Sequence, residues 1–459
     1  MKGSRKNPAP VFYLVALGCP KNLVDAELLS GALMKNGYSL SLEPEAADLY
    51  IVNTCAFLPA ARSEAAREIE TALEWKSRVP GRRVAVCGCL TEYDKTSGEY
   101  KKRFPGVDLW SPVNDVERVA ELLGGSAPST GKPCYLNSDA SPRLQLTLPH
   151  LAYLKIADGC NNCCTYCAIP KLRGSLRTRP QASVVREAQM LVSSGVRELV
   201  LVAQDTTAFG MDRPGDGEDL CSLLRELEKL PGDFVIRLLY THPAHYTDEL
   251  IAFLASSRRV LPYLDIPLQH ISDRVLKAMN RHVTGKEIET LLLKLRAAIP
   301  DLTLRTTFIV GFPGESEAEF QELCGFVRDF KFERMGVFPY AAEAGTPAAK
   351  LKNQIPAEVA NMRAEILMRR QIARMKRRNR KLVGENARVL VDMVEPSGIA
   401  VARGAMDAPE IDNAVLIRDG GKLRPGEWAT VRLIGAAGCD LVAERVKPAR
   451  RTGKKTKKR

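Results

Sequence analysis

Cys160-Asn161-Asn162-Cys163-Cys164-Thr165-Tyr166-Cys167 is the stretch whose reading decides the fold. Within it Cys160, Cys164 and Cys167 stand in the spacing C-x3-C-x2-C. Cluster irons are held by thiolates. Three thiolates with no obvious fourth in the same loop suit an iron–sulfur cluster with one iron free of protein ligand, and such a position is where an exogenous group binds and reacts. A zinc site usually takes four ligands in two pairs, and no partner C-x2-C with that layout follows. A disulfide framework is strained, because Cys163 and Cys164 are adjacent and four thiols crowd into eight residues. Cys163 is the surplus thiol, a bystander that lies near the cluster by sequence.

Outward from this loop, residues from about 146 to 377 alternate strand and helix signals. Candidate strands are Tyr153–Ala157, Glu198–Ala203, Val235–Leu239, Tyr263–Ile266, Leu304–Val310 and Met335–Pro339, with helix-like stretches such as Val184–Ser193, Leu220–Leu230 and Glu317–Phe330 between them. Six β/α repeats make a partial parallel barrel whose active site belongs at the C-terminal ends of its strands. The cysteine loop follows the first of these strands.

Upstream, residues 10–122 show the same alternation. Val11–Leu17, Asp48–Val52 and Arg83–Val86 read as strands, and Leu23–Asn36 and Arg62–Lys76 as helices, which predicts a parallel sheet covered by helices. Each strand-like run ends at a cysteine: Cys19, Cys55 and Cys89. Ligands gather at the carboxyl ends of strands in open α/β sheets, so the three thiols either converge on a second cluster or are unrelated buried cysteines. The run Val11–Leu17 before Gly18-Cys19, preceded by Lys2, Arg5 and Lys6, resembles a short signal peptide with a lipoprotein box. A buried first strand explains it equally well, and metal chemistry later in the chain favours the strand.

Residues 123–145, rich in Gly, Ser and Pro, read as a linker in which Cys134 has no role. After a helix predicted at Asn361–Lys381, dense in Arg and Lys, residues 378–448 change character. Arg388–Val391, Ile399–Arg403, Asn413–Ile417, Trp428–Leu433 and Leu441–Val446 are short strand-like runs that predict a small five-stranded OB-like barrel. Trp428 is either a contact residue or core. Residues 449–459 form a basic tail; such blocks often contact nucleic acid. With a formal net charge of +13, the chain suits a polyanionic partner surface.

The length of 459 residues exceeds one ordinary core and predicts several domains. No apolar run reaches the ~18–20 residues that span a bilayer. Twelve cysteines grouped as metal ligands imply a reducing compartment, hence the cytoplasm.

The order of a three-cysteine α/β domain, a C-x3-C-x2-C barrel and a small β-barrel resembles the radical S-adenosylmethionine (SAM) methylthiotransferases, with matching segments along nearly the whole chain. They include Leu17-Gly18-Cys19-Pro20-Lys21-Asn22-Leu23-Val24-Asp25, Asn53-Thr54-Cys55-Ala56-Phe57, Gly88-Cys89-Leu90, Gln204-Asp205-Thr206-Thr207, Tyr263–His270, Gly311-Phe312-Pro313-Gly314-Glu315 and Asp407–Asp412. Pro20-Lys21 stands where the tRNA-adenosine branch typically reads Gln-Met, which favours the branch that modifies a ribosomal-protein aspartate. Tyr166 stands where Phe is more usual, an exchange that keeps the aromatic ring.

The resemblance implies two [4Fe-4S] clusters, one on Cys160, Cys164 and Cys167 and an auxiliary one on Cys19, Cys55 and Cys89, with SAM as cosubstrate. Cys87 competes by position, but the Gly-Cys-Leu context selects Cys89. The implied reaction adds a methylthio group to the β-carbon of an aspartate in small-subunit ribosomal protein number twelve, with a flavodoxin or ferredoxin as electron donor. The tail would meet ribosomal RNA, and no membrane is involved. No catalytic side chain is expected beyond the clusters. For the radical to reach its substrate, the N-terminal domain must dock over the barrel mouth. Tyr166, in the cysteine loop beside Ala168-Ile169, is a candidate to pack the SAM adenine, and Gln204, Asp205, Gln269, Gly311 and Glu315 are candidate SAM contacts by their places at strand ends. His270 is either a proton-transfer residue or a structural hydrogen bonder. Cys221, Cys324 and Cys439 read as core positions. The β-barrel resembles the TRAM domain, which contacts RNA in some relatives and the protein substrate in this branch. Two other functions stand beside this one: tRNA adenosine methylthiolation, and a non-catalytic metal-containing RNA-binding protein.

Overall fold

Strand β1 (Val11–Ala16) sits inside a sheet rather than in a leader, with Phe12 fully buried. The computed structural model describes residues 9–112, 119, 121–122 and 137–446. Cys134, residues 123–136 of the expected linker and the basic tail lie outside the described residues. The chain forms two compact units, Met1–Leu367 and Met368–Arg459.

The first unit begins with a five-stranded parallel sheet in the order β2-β1-β3-β4-β5. Here β2 is Ser39–Leu40, β3 Leu49–Thr54, β4 Arg83–Gly88 and β5 Leu109–Trp110. Every residue of β3 is buried, as expected of a parallel strand covered on both faces. One face packs on helix Pro59–Ser77 through Ile69, Ala72 and Trp75. The other packs on helix Pro20–Lys35 through Leu29 and Leu33. β2 and β5 were not expected, because two residues are too few to show a period of two.

A second sheet follows, all parallel, in the order β13-β12-β11-β10-β9-β6. Its strands are β6 (Leu151–Lys155), β9 (Glu198–Val202), β10 (Val235–Leu238), β11 (Val260–Asp265), β12 (Thr303–Val310) and β13 (Arg334–Pro339). Neighbours in sequence are neighbours in space, as in a partial (βα)6 barrel. Between β6 and β9, β7 (Ala157–Asp158) and β8 (Arg177–Thr178) pair antiparallel and pinch the base of the cysteine loop. Local sequence supports the outer helices: Asp219 with Ser222, Thr284 with Glu287 and Ser316 with Glu319 form capping boxes.

The described part of the expected linker is no free tether. Arg143 pairs with Glu27 and Glu187, Leu144 N–H donates to Glu27 O, and Asn137 donates to Glu187, all against buried partners. Helix Ala357–Leu382 carries the boundary between the units. In the second unit β14 (Asn386–Val394), β15 (Ala400–Arg403), β16 (Val415–Ile417), β18 (Asp440–Arg445) and β17 (Trp428–Ala437) close into a barrel in that order. Its core is Val389, Val391, Ile417, Val431 and Leu433 with their neighbours. Among the described residues, no helix is long and apolar enough to cross a membrane.

Candidate active site

The thiols of Cys19, Cys55 and Cys89 meet at the carboxyl edge of the first sheet. Cys19 caps helix Pro20–Lys35, Cys55 follows β3, and Cys89 opens helix Cys89–Ser97. They are close enough that Cys19 raises the Cys55 thiol and that Cys19 and Cys55 both raise the Cys89 thiol. Burial first, with Cys19 adding, pushes Cys55 up, and burial pushes Cys89 up to about 12 although Arg173 opposes it. A thiol in such a place becomes a thiolate when a cation binds it. Two helix N-termini also favour negative sulfur here. Gly18 permits the approach: at φ +93° a Cβ there would lie 2.9 Å from Cys55 Sγ. Cys87 is fully enclosed elsewhere, in the core with Phe12, Leu29 and Ile51, its Sγ 3.8 Å from Asn53 Oδ1.

The second triad lies in the loop after β7. Cys167 N–H donates to Cys164 O at 3.0 Å, and Ile169 N–H points at Cys167 Sγ at 3.4 Å. Arg281 Nη1 lies 3.6 Å from Cys164 Sγ. Burial pushes Cys160 up to about 11 and Cys167 up to about 12, with the other thiols of the loop adding. Cys163 turns outward at φ 51° and is exposed. All eleven cysteines among the described residues are free. Two sets of three converging thiols, each with arginine N–H groups aimed at sulfur, fit the donor set of iron–sulfur clusters.

Arg173 joins the two triads. It ends the short helix Ile169–Arg173, six residues after Cys167, yet its Nε and Nη2 each lie 3.3 Å from Cys89 Sγ. Its Nη1 donates to Asp25 at 2.7 Å and Asp158 at 3.3 Å, and its Nη2 to Asn22 at 3.2 Å. Lys155 completes the set by pairing with Asp25 and with Asp158. Burial opposes charge on Asp158, but Lys155 and Arg173 outweigh it and hold that carboxyl below its ordinary range. A second clasp is Arg62 with Glu343 at 2.8 Å, the Arg62 guanidinium lying 4.5 Å from the Tyr93 ring. These contacts seat the first sheet's carboxyl edge on the strand ends of the second.

The expected SAM contacts divide. Gln204 donates to Asp158 at 2.8 Å and keeps its Oε1 buried without a partner. Gln269, at φ 72°, likewise has a buried Oε1 without a partner. Asp205 accepts from Asn162 at 2.7 Å and Thr207 at 2.6 Å. Burial opposes its charge, while His245 beside it holds the carboxyl below its usual range. Tyr166 packs against Val275, Met279, Phe312 and Ala348.

Gly311 and Glu315 have protein partners of their own. The close approach at Gly311 is to helix Ala357–Leu382, since a Cβ there would lie 2.4 Å from Ala360 Cβ. Glu315 spends its oxygens on Phe312 N–H at 3.1 Å and Arg363 at 2.8 Å. Both close the turn after β12. Cys439 is corrected: it sits half-buried between β17 and β18, unlike Cys221 and Cys324, which are buried. His270 Nδ1 accepts from Ser272 N–H at 3.0 Å, a structural bond. Trp428 is half-buried under the Arg388 guanidinium at 4.2 Å.

Sequence reasoning missed Arg173, Arg281, Lys21, His242 and His245 as members of the site. The Pro243 that follows His242 was the one local signal of a turn there. His245 Nδ1 stands 2.9 Å from Asp205 Oδ2, without hydrogen-bond alignment. Ligand atoms of Asp205, His242 and His245 lie within 4.8 Å of one another. His242 Nδ1 accepts from Ala244 N–H, which leaves the ring proton on Nε2. Burial and the nearby Arg281 push His242 down to about 3, so the ring is neutral.

Three family models match in series: Uncharacterized protein family UPF0004 over residues 11–111, Radical SAM superfamily over 154–327 and TRAM domain over 383–446. The chain is similar to solved structures of the radical S-adenosylmethionine methyltransferase TsrM from Kitasatospora setae, with TM-score 0.54 at 15% identity over 74% of each chain. It is also similar to the cobalamin-dependent radical enzyme OxsB, with TM-score 0.50 at 12% identity over 79% of this chain and 56% of that one. At such identities these two support the fold alone. Relatives named ribosomal protein uS12 methylthiotransferase RimO are far closer in sequence. That of Pelotomaculum thermopropionicum is 43% identical over 94% of this chain and 98% of its own length. That of Akkermansia muciniphila is 42% identical over 94% and 99%. With both thiol triads at one mouth and this likeness along nearly its whole length, the chain belongs to the RimO family of radical SAM methylthiotransferases.

Proposed function

We propose that this protein transfers a methylthio group to the β-carbon of an aspartate in ribosomal protein uS12. The observation that carries the proposal is Arg173, which brings the Cys89 edge of one triad against the loop of the other. Two reaction centres that share one substrate must face one cavity. The long likeness to uS12-modifying relatives supports the substrate.

In this reading Cys160, Cys164 and Cys167 hold one [4Fe-4S] cluster, and Cys19, Cys55 and Cys89 hold the auxiliary one. When bound, the clusters and SAM supply the radical and the sulfur, the hard chemistry that cofactors bring. The protein's own groups do the rest. Arg281 and Arg173 donate hydrogen bonds to ligand sulfurs and offset negative charge at each centre. The open Oε1 atoms of Gln204 and Gln269 are acceptors for the ammonium or ribose hydroxyls of SAM. The docked first sheet would cover the barrel mouth and keep competing reactants from a radical formed there. A flavodoxin or ferredoxin would deliver the electron, the basic tail would meet ribosomal RNA, and thiolate chemistry suits a reducing compartment such as the cytoplasm.

The test is anaerobic incubation of the reconstituted protein with SAM, a reductant, uS12 and isopentenylated tRNA, read by mass spectrometry. A methylthio gain of about 46 Da, one SCH3 replacing H as group transfer requires, is expected on uS12 alone. The same gain on tRNA adenosine would move the protein to the sister branch.

A further inference from the structure

Lys21 is 8% exposed, and its ammonium is held by a single backbone oxygen and a ring. Nζ lies 3.3 Å from Ala203 O and 3.8 Å from the centroid of the Tyr240 ring. Among the described residues it has no carboxylate partner. The buried carboxylates around it are committed: Asp25 and Asp158 to Lys155 and Arg173, and Asp205 to Asn162 and Thr207. A buried cation without a counter-ion is costly, so a site that keeps one is built for an anion that arrives with the ligand.

The place of that charge says which ligand. Lys21 stands two residues after Cys19, and Ala203 and Tyr240 follow the carboxyl ends of β9 and β10. The ammonium therefore sits between the auxiliary triad and the barrel mouth, beside Gln204 and Asp205. Tyr240 holds φ 60°, an uncommon conformation for an aromatic residue that puts its ring under Lys21. An aspartate modified at its β-carbon carries its carboxylate bonded directly to the reacting atom. We propose that Lys21 binds the side-chain carboxylate of the target aspartate and so orients its β-carbon between the two centres. The inference rests on the function proposed above.

The test uses the full-length, cluster-loaded enzyme with SAM and no reductant, so that binding is read without turnover. Affinity is measured for uS12 and for uS12 with Asn at the target position. Wild type should prefer the aspartate form by about tenfold to a hundredfold, the range of a hydrogen bond to a charged group. Lys21→Met should bring that ratio close to one by weakening the aspartate form, and Lys21→Arg should keep it. An unchanged ratio in Lys21→Met overturns the proposal. Two results name what then replaces it. A raised Kd for SAM at unchanged ratio makes Lys21 a partner of the SAM carboxylate. A shifted potential of the auxiliary centre at unchanged ratio makes it that centre's counter-charge. If Lys21→Met loses iron, Lys21→Gln carries the same comparison. If wild type modifies tRNA and leaves uS12 untouched, the function fails first, and that is visible before any variant is made.

Discussion

Arg173 and Cys89, 84 positions apart in the chain, meet through two N–H···S contacts of 3.3 Å. Donors to a ligand sulfur stabilise the more negative, reduced state and raise a cluster's potential. Arg173→Gln should therefore make the auxiliary centre harder to reduce, by an EPR-monitored redox titration. It should also cost about 3–5 kcal/mol of stability, because Asp25 and Asp158 lose a buried partner. An unchanged potential would show that the contact does not tune the centre.

The assignment of ligands is read by counting iron. Two four-iron clusters hold about eight irons per chain. Cys164→Ala and Cys55→Ala should each drop this to about four, losing different spectroscopic signals. Cys87→Ala and Cys163→Ala should keep all of it, since Cys87 lies in an apolar core and Cys163 faces solvent. Loss of iron in Cys87→Ala with full retention in Cys89→Ala would reverse the choice between them.

Gly18→Ala should damage the auxiliary centre selectively. The added methyl would lie 2.5 Å from Cys55 Cβ, and φ +93° is strained for any L side chain. Local strain of this kind costs of order 1–3 kcal/mol. Auxiliary iron should fall while SAM cleavage by the barrel centre remains measurable. Full auxiliary iron in the variant would refute the steric account.

His270 makes stability depend on pH. Burial, helped by Arg274 and Arg363 and opposed by Glu319, pushes it down to about 4. Below its ordinary value near 6.5 the unfolded chain gains a proton that the folded chain refuses. Its contribution is thus present above pH 6.5 and lost as pH falls toward 4, roughly 2 kcal/mol by pH 5. Urea midpoints should decline over that range, and His270→Asn, whose oxygen replaces Nδ1 toward Ser272, should flatten the decline. An equal decline in the variant assigns it to other groups.

Much of the architecture was legible because it is local. β3 and β4 were visible as short β-branched runs, and the five strands of the terminal barrel as short runs between turns. β2 and β5 were not, being two residues each and defined by their neighbours. At Gly311 a glycine in a turn marks close contact without naming the partner, and the structure shows Ala360 beside it. Lys21 was visible only as a word in a motif, and its burial against Ala203 and Tyr240 was not.

By itself the amino-acid sequence determined the short-range chemistry of this protein. Three thiols inside an eight-residue loop are neighbours in almost any backbone, and apolar periodicity specifies strands and helices within a few residues. Tertiary structure alone decided what lies across long stretches of chain: that Cys19, Cys55 and Cys89 share one point, that Cys87 does not, and that Arg173 reaches Asp25 from 148 positions away. Such pairings depend on how two sheets dock edge to mouth. Docking is a property of summed packing and buried charge, which no local pattern encodes.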